Sequence, residues 1–401
     1  MRTKGKNYLN NPGALKIDLM FNGIRIDDAL TKAHVCGKDG IDIMLPGETP
    51  VNIPCSEDFI KVSPYALRRD GDRTFIATDA GEVDVRLVSE PEFLSKKTSS
   101  GVLFSKIASV HGRYTVITPS ARCDFFNSNV ECRYCAGNFD LAGRDSTVYT
   151  VDDVLEAVGA ALKEKVSEVI YLSIGFSDGE DGGIEVLRPY IKAIKDNFNC
   201  LLAVEALPPR HDRWIDETYS IGVDAVLYNL EIYDKELFEM ICPGRARLIG
   251  RKRYLEALNY AAMVFPKGSV ASHLIVGLEP PGSTCQGIEH LCSVGVLPIL
   301  PIYRPRQGRL LRIEPLTTEI IIPVYKFLYR ELKKKRFNMG LVSDITSVTT
   351  PVEIEALVDG RTRPSMVDNF YKSRIGLKTA WGLSTLRRKL RVKKAKDPDR
   401  H

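Results

Sequence analysis

From about residue 113 onward, short apolar runs alternate with segments whose apolar residues recur every three or four positions. The runs at 114–118, 168–173, 201–205, 225–229, 270–276 and 297–302 read as strands, because they are brief, rich in Val, Ile, Leu and Tyr, and nearly continuous. The intervening segments predict helices over 183–197, 212–220 and 284–293, and another through Tyr254, Leu255, Leu258 and Ala262. A further helix begins at Thr150-Val151-Asp152-Asp153, a capping-box start with Asp in the usual Glu or Gln position, and runs through Leu162. Apolar strands alternating with amphipathic helices imply a parallel sheet covered by helices. Six such units make an α/β fold of the partial (β/α)6 TIM-barrel type, whose functional residues are expected at the C-terminal ends of the strands.

The flanks have a different texture. Residues 1–110 alternate apolar and polar positions over short stretches, such as Ile41-Asp42-Ile43-Met44-Leu45, with Gly and Pro between them. They read as a small β-rich N-terminal domain ahead of a barrel over 111–310. Residues 311–401 read as a mostly helical extension, with helices around 317–335 and 376–395. The chain has 401 residues, 44% of them apolar and 27% charged, which is ordinary globular composition. No run of eighteen apolar residues or signal-like N-terminal stretch occurs, so the expected compartment is the cytoplasm, with no membrane partner. The net charge of +5 is mild, and seven of the eleven residues from Leu386 to Lys396 are Lys or Arg. That tail reads first as a solvated helix end, and second as a handle for nucleic acid or an acidic partner.

Nine cysteines are expected to serve as metal ligands or buried thiols rather than disulfides in such a compartment. Cys123 and Cys132 enclose eight residues, and Cys132 and Cys135 enclose two, directly after the first strand of the barrel series. Thiolates suit zinc and iron–sulfur clusters alike. Three ligands leave a structural zinc site incomplete, because such sites close with four, whereas a cluster on three thiolates keeps one iron open for a small molecule. Of the rest, Cys285 and Cys292 share a helical spacing and Cys36 and Cys55 fall in the β-rich region; with Cys200 and Cys242 they read as buried small hydrophobes or an auxiliary metal site.

The Cys132-Arg133-Tyr134-Cys135 segment, with its aromatic before the last Cys, resembles the radical S-adenosylmethionine (SAM) superfamily, whose usual signature is Cys-x3-Cys-x2-Cys. The first spacing departs, with eight residues in place of three. The resemblance covers roughly 105–310 and looks most like the biotin-synthase-like members and the uncharacterised radical SAM proteins of nitrilase gene clusters. It implies a [4Fe-4S] cluster on Cys123, Cys132 and Cys135, with S-adenosylmethionine on the open iron. It also implies reductive cleavage of that cofactor to a 5′-deoxyadenosyl radical that abstracts hydrogen from a substrate, fed by a reductant such as flavodoxin or ferredoxin. By the same resemblance, Gly175 in the 173–177 turn stands where the cofactor's amino group is contacted. Asn229 and Glu231 stand where ribose and the amino-acid portion are held. Arg253 clamps the carboxylate, ahead of Arg245 and Arg251, and Val276 and Leu278 line the adenine pocket. The rival readings are a zinc-dependent TIM-like enzyme and an RNA- or partner-binding iron–sulfur protein. The substrate is not legible.

Overall fold

The computed structural model describes residues 8–27, 30, 40–56, 58–120, 122–135, 148–167, 169–304, 311, 313, 316–337, 344–359, 376, 379 and 382–390. Its centre is a curled seven-stranded half-barrel. Six strands are parallel: β9 (Tyr114–Ile117), β10 (Val169–Ser173), β11 (Leu201–Ala206), β12 (Ala225–Tyr228), β13 (Val270–His273) and β14 (Leu297–Ile299), in sequence order across the sheet. All six are the strands that the apolar runs predict. The seventh, β8 (Ala108–His111), pairs antiparallel to β9 and closes that edge. It was not expected, because four residues ending in a polar His carry little strand signal.

Helices cover the sheet as the periodicity requires. Thr150 caps Val151–Glu164 by accepting from the Asp153 N–H at 3.1 Å, and the Asp153 carboxylate accepts in return from the Thr150 N–H at 3.4 Å. Ile184–Asn197, Arg213–Ser220, Arg251–Val264 and Pro281–Ser293 follow in place. Two further short helices, Lys235–Ile241 and Pro243–Leu248, fill the connection after β12. The Cys242-Pro243-Gly244 run at their junction breaks the apolar periodicity that would have revealed them. The core is one continuous apolar cluster running from the N-terminal region through the barrel.

The N-terminal region holds two small sheets. One has strands β1 (Arg25–Ile26), β4 (Ala66–Asp70), β5 (Arg73–Thr78) and β6 (Gly81–Asp84); the other has β2 (Ile41–Leu45), β3 (Thr49–Ile53) and β7 (Arg86–Leu87). It also holds a helix, α1 (Pro12–Asn22), that the reading of a β-rich region overlooked. Its start signals are present: Asn11 accepts from the Ala14 N–H at 3.0 Å, with Pro12 at the first helical position. α1 is buried almost all round, so it lacks the two-faced pattern that betrays a surface helix. It packs against α2 (Thr318–Lys334) and α3 (Pro351–Asp359) of the C-terminal part. Thr318–Lys334 matches the helix expected around 317–335. Of the one expected around 376–395, residues 382–390 are helical, and most of the remainder, including 391–396 of the basic tail, lies outside the described residues. No helix among the described residues is long and apolar enough to cross a membrane. Cys55 is disulfide-bonded, against the expectation of reduced thiols, while Cys123, Cys132, Cys135, Cys200, Cys242, Cys285 and Cys292 are not disulfide-bonded.

Candidate active site

A cavity of about 290 Å³ opens where the parallel strands end, walled by the exits of β9, β10, β11 and β12. Cys123, Cys132 and Cys135 line it, together with Tyr134, Gly175, Phe176, Glu205, Asn229 and Arg245. The eight residues between the first two cysteines are accounted for by local structure. Cys123 precedes a single helical turn, Asp124–Asn127, and Asn129 takes a left-handed conformation (φ 51°) that reverses the chain. Phe125 is buried in that turn and stacks on Phe176, with ring centroids 4.1 Å apart and planes 5° from parallel. The insertion therefore folds as a packed turn that returns the chain to Cys132. A tight bond from the Cys135 N–H to the Cys132 carbonyl (2.9 Å) then brings the last cysteine round.

The exit of β10 is laced to the first cysteine. The Phe176 N–H points at Cys123 Sγ (3.4 Å), and the Asp124 N–H donates to the Phe176 carbonyl (2.8 Å). Gly175 makes this approach possible: a Cβ there would lie 2.4 Å from the Arg122 carbonyl oxygen and 2.5 Å from Cys123 Cβ. The Cys123 thiol is pushed up by burial, an effect the neighbouring backbone N–H groups partly offset.

A polar network runs across the strand ends. Glu205 accepts from Tyr171 and Ser173 hydroxyls at 3.0 Å each and from Asn229 Nδ2 at 2.6 Å. Asn229 Oδ1 accepts from the His273 N–H at 3.1 Å, so the Asn229 amide is engaged at both ends by the protein itself. Glu231, at φ 70°, is buried and lies 3.4 Å from the Arg245 guanidinium, which also donates to the Asn229 carbonyl. Two atoms of this pair, Glu231 Oε2 and Arg245 Nε, are buried without a hydrogen-bond partner. Because an unpaired buried polar atom costs on the order of 1–3 kcal/mol, orphans of this kind mark places where a ligand completes the bonding.

Glu231 itself does not line the cavity, and the remaining sequence candidates stand elsewhere. Arg253 is committed to the loop after β11: its Nη2 bonds Asp212 at 2.7 Å and its Nε the Pro209 carbonyl at 2.7 Å, and it is absent from the cavity wall. Arg251 donates to the Tyr233 carbonyl and lies over that ring. Val276 and Leu278 are buried, but neither lines this cavity, and the Val276 N–H and C=O are both used in pairing with Pro301 and Tyr303. Sequence reasoning missed Glu205, although an acid ending an apolar strand is the same signal that singled out Asn229 and Glu231.

The second missed residue is Cys242. It sits between the two short helices after β12, fully buried, with its thiol close to that of Cys132. That neighbour is the main cause holding the Cys132 thiol below its ordinary value; the Arg245 charge acts in the same direction, and burial opposes both. The Cys242 thiol is pushed up by Cys132 and by burial. Cys292, by contrast, is pushed up to about 12 by burial. Among the described residues no three His, Cys, Asp or Glu side chains are grouped to hold a single metal ion.

Residues 117–281 match the model of the Radical SAM superfamily. The chain is 27% identical over 142 residues to bacteriochlorophyllide c C-7(1)-hydroxylase of Chlorobaculum limnaeum, a match covering 34% of this chain and 35% of that protein. The chain thus spans about a third of the curated relative's length. Among solved structures it is similar to methylornithine synthase (TM-score 0.45, 14% identity, 55% of this chain and 63% of the other). It is also similar to the FeFe-hydrogenase maturase HydG of Carboxydothermus hydrogenoformans (TM-score 0.46, 15% identity, 55% of this chain and 52% of the other).

Proposed function

We propose that this chain is a radical enzyme, because residues 117–281 match the model of the Radical SAM superfamily, whose cofactors are a [4Fe-4S] cluster and S-adenosylmethionine. Cys123, Cys132 and Cys135 hold the cluster in the cavity at the strand ends. The observation that carries this reading is the convergence of those three cysteines with Arg245, whose Nε is buried without a hydrogen-bond partner. Three soft donors leave one iron open, and an unused guanidinium N–H suits a ligand that carries a carboxylate. When bound, the two cofactors supply a one-electron reductive cleavage whose product abstracts hydrogen from substrate.

The chain's own residues bind, orient and exclude water. Arg245, rather than Arg253, takes the carboxylate, because its guanidinium lines the cavity with Nε unused while that of Arg253 is spent on Asp212. Glu231, which does not line the cavity, pairs with Arg245 and orients its guanidinium. Asn229 positions Glu205 and β13, since both ends of its amide are already bonded. Gly175 gives the backbone room to approach the ligand, and the Phe125–Phe176 stack keeps one wall dry. A one-electron donor of the flavodoxin or ferredoxin class feeds the reaction.

The test is anaerobic reconstitution. The protein is expected to bind about four irons with matching acid-labile sulfide, and to release 5′-deoxyadenosine from S-adenosylmethionine on reduction. Alanine at any one of the three cysteines is expected to abolish that release. Protein that binds zinc but no iron, or iron-loaded protein that releases no 5′-deoxyadenosine, rules the proposal out.

A further inference from the structure

We propose that the helical stretch 382–390 is an interfacial helix, whose outward leucines and basic side chains rest one end of the barrel on an anionic lipid surface. The proposal stands apart from the cluster assignment, because it concerns the end of the barrel away from the cavity.

A helix on the surface of a globular protein turns its apolar stripe to the core and its polar side to water. This one does the reverse. Ser384 and Arg388, one turn apart, are buried and bond Asp224 at 2.7 Å each, and Arg388 also donates to the Val223 carbonyl at 3.0 Å. Arg387 reaches the Phe265 carbonyl at 3.5 Å. Leu383, Leu386 and Leu390 are 62%, 55% and 59% exposed, and they are three of the four exposed leucines among the described residues. Their i, i+3, i+7 spacing puts them on one stripe, about 150° round the helix from Ser384 and Arg388. Polar side chains thus hold the helix to the barrel, and the leucines face away from it. Val223 and Asp224 come just before β12, and Phe265 precedes β13, so the helix lies at the strand starts. The cavity is at the strand ends, and a surface met by this helix leaves it clear.

Charge and shape select the occupant. Arg387 and Lys389 are exposed beside the stripe, and the next six residues of the sequence add Arg391, Lys393, Lys394 and Lys396. A symmetric contact with a second copy would set this positive charge against itself. Nucleic acid would take the cations and leave the leucines in water. A grooved protein has to embrace a helix from both flanks, and here the barrel occupies the side of Ser384, Arg387 and Arg388. A lipid surface needs only the outer side. It takes the leucines into the boundary of headgroups and acyl chains, and its anionic headgroups attract the cations.

The experiment sediments the full chain with sucrose-loaded vesicles, either of phosphatidylcholine or of an equimolar mixture with phosphatidylglycerol. Wild-type protein is expected to bind the mixed vesicles at least about tenfold more tightly, and to be released as salt rises. Lys389→Ala is expected to weaken binding about fivefold at low salt, the effect of one cation at such a surface. Leu386→Ser combined with Leu390→Ser is expected to weaken it by more than about tenfold, while circular dichroism stays that of wild type, since both side chains face solvent. Val62→Ser removes an equally exposed apolar side chain of the N-terminal region and is expected to bind as wild type does. Wild-type protein that ignores the mixed vesicles at low salt overturns the proposal. So does a double serine variant that binds as wild type, which leaves charge as the whole of the attraction. Self-association of the wild-type chain that the serine variant loses, without vesicle binding, overturns it in favour of a second copy. Retention on RNA without vesicle binding overturns it in favour of nucleic acid.

Discussion

The tightest constraint on a single residue falls on Gly175. Its φ is not in the left-handed region, so the requirement is for space rather than backbone freedom. An alanine methyl would collide with the Arg122 carbonyl and with Cβ of Cys123 itself, and the backbone of a strand exit cannot swing away as a side-chain tip does. Gly175→Ala is expected to displace Cys123 and cut iron uptake on reconstitution by at least half, while the far-ultraviolet circular dichroism stays that of the native fold. Full iron uptake would show that Cys123 is not held from the β10 exit. What sequence order conveys at this scale is position: the three cysteines after the first strand and Asn229 after the fourth line one cavity, while Glu231 is buried beside Arg245. Arg253 and Arg245 are both basic residues of the same connection, and only packing separates them, since Asp212 lies within reach of one and the cavity is open to the other. Cys242 was invisible for the same reason. Its partner is 110 positions away in the chain, and nothing local marks a thiol that meets another thiol.

Elements read well where the pattern was plain, a brief continuous apolar run for each of the six parallel strands and a two-faced period for the helices that cover them. Elements failed where burial was all round, as in α1, or where the run was too short to show a period, as in β8 and the two helices after β12. One tie between elements depends on charge. Asp224, at the start of β12, is buried and accepts from the Leu202 N–H, from Lys195 Nζ at 2.9 Å, and from Ser384 and Arg388 of the helical stretch 382–390, both at 2.7 Å. The Arg388 guanidinium also lies over the Tyr219 ring. Part of the basic run that invited a nucleic-acid reading is thus spent on docking a helix to the barrel. Breaking a buried ion pair by removing one partner costs about 3–5 kcal/mol, because the stranded charges keep their desolvation penalty. Asp224→Asn is expected to lower the unfolding free energy by about 3 kcal/mol in urea and to open the 386–390 stretch to trypsin under native conditions. Unchanged stability with the stretch still protected would mean that apolar contacts alone hold it.

At the scale of the whole molecule, the first helix of the described chain closes on α2 and α3, which follow the barrel, and no reading of successive segments would predict it. Lys16 of α1 is fully buried; its Nζ lies 2.8 Å from Glu353 of α3 and donates to the Ile345 carbonyl at 2.7 Å. Burial pulls the lysine down and pushes the carboxyl up, so each ion is unfavourable by itself and is kept by the other. Around them α1, α2 and α3 supply ordinary apolar packing. The pair therefore does little for net stability and much for which helix meets which: an apolar α1 could slide along its groove, whereas Lys16 has its carboxylate at one place only. This separates the single from the double replacement. Lys16→Met strands a buried carboxylate and is expected to cost about 3–5 kcal/mol in urea unfolding. Lys16→Met combined with Glu353→Leu removes both desolvation penalties at similar volume, and is expected to return to within about 1 kcal/mol of wild type or to exceed it. If the double variant remains as unstable as the single one, the pair contributes attraction beyond its desolvation cost, and the closure of the two ends rests on charge rather than on packing.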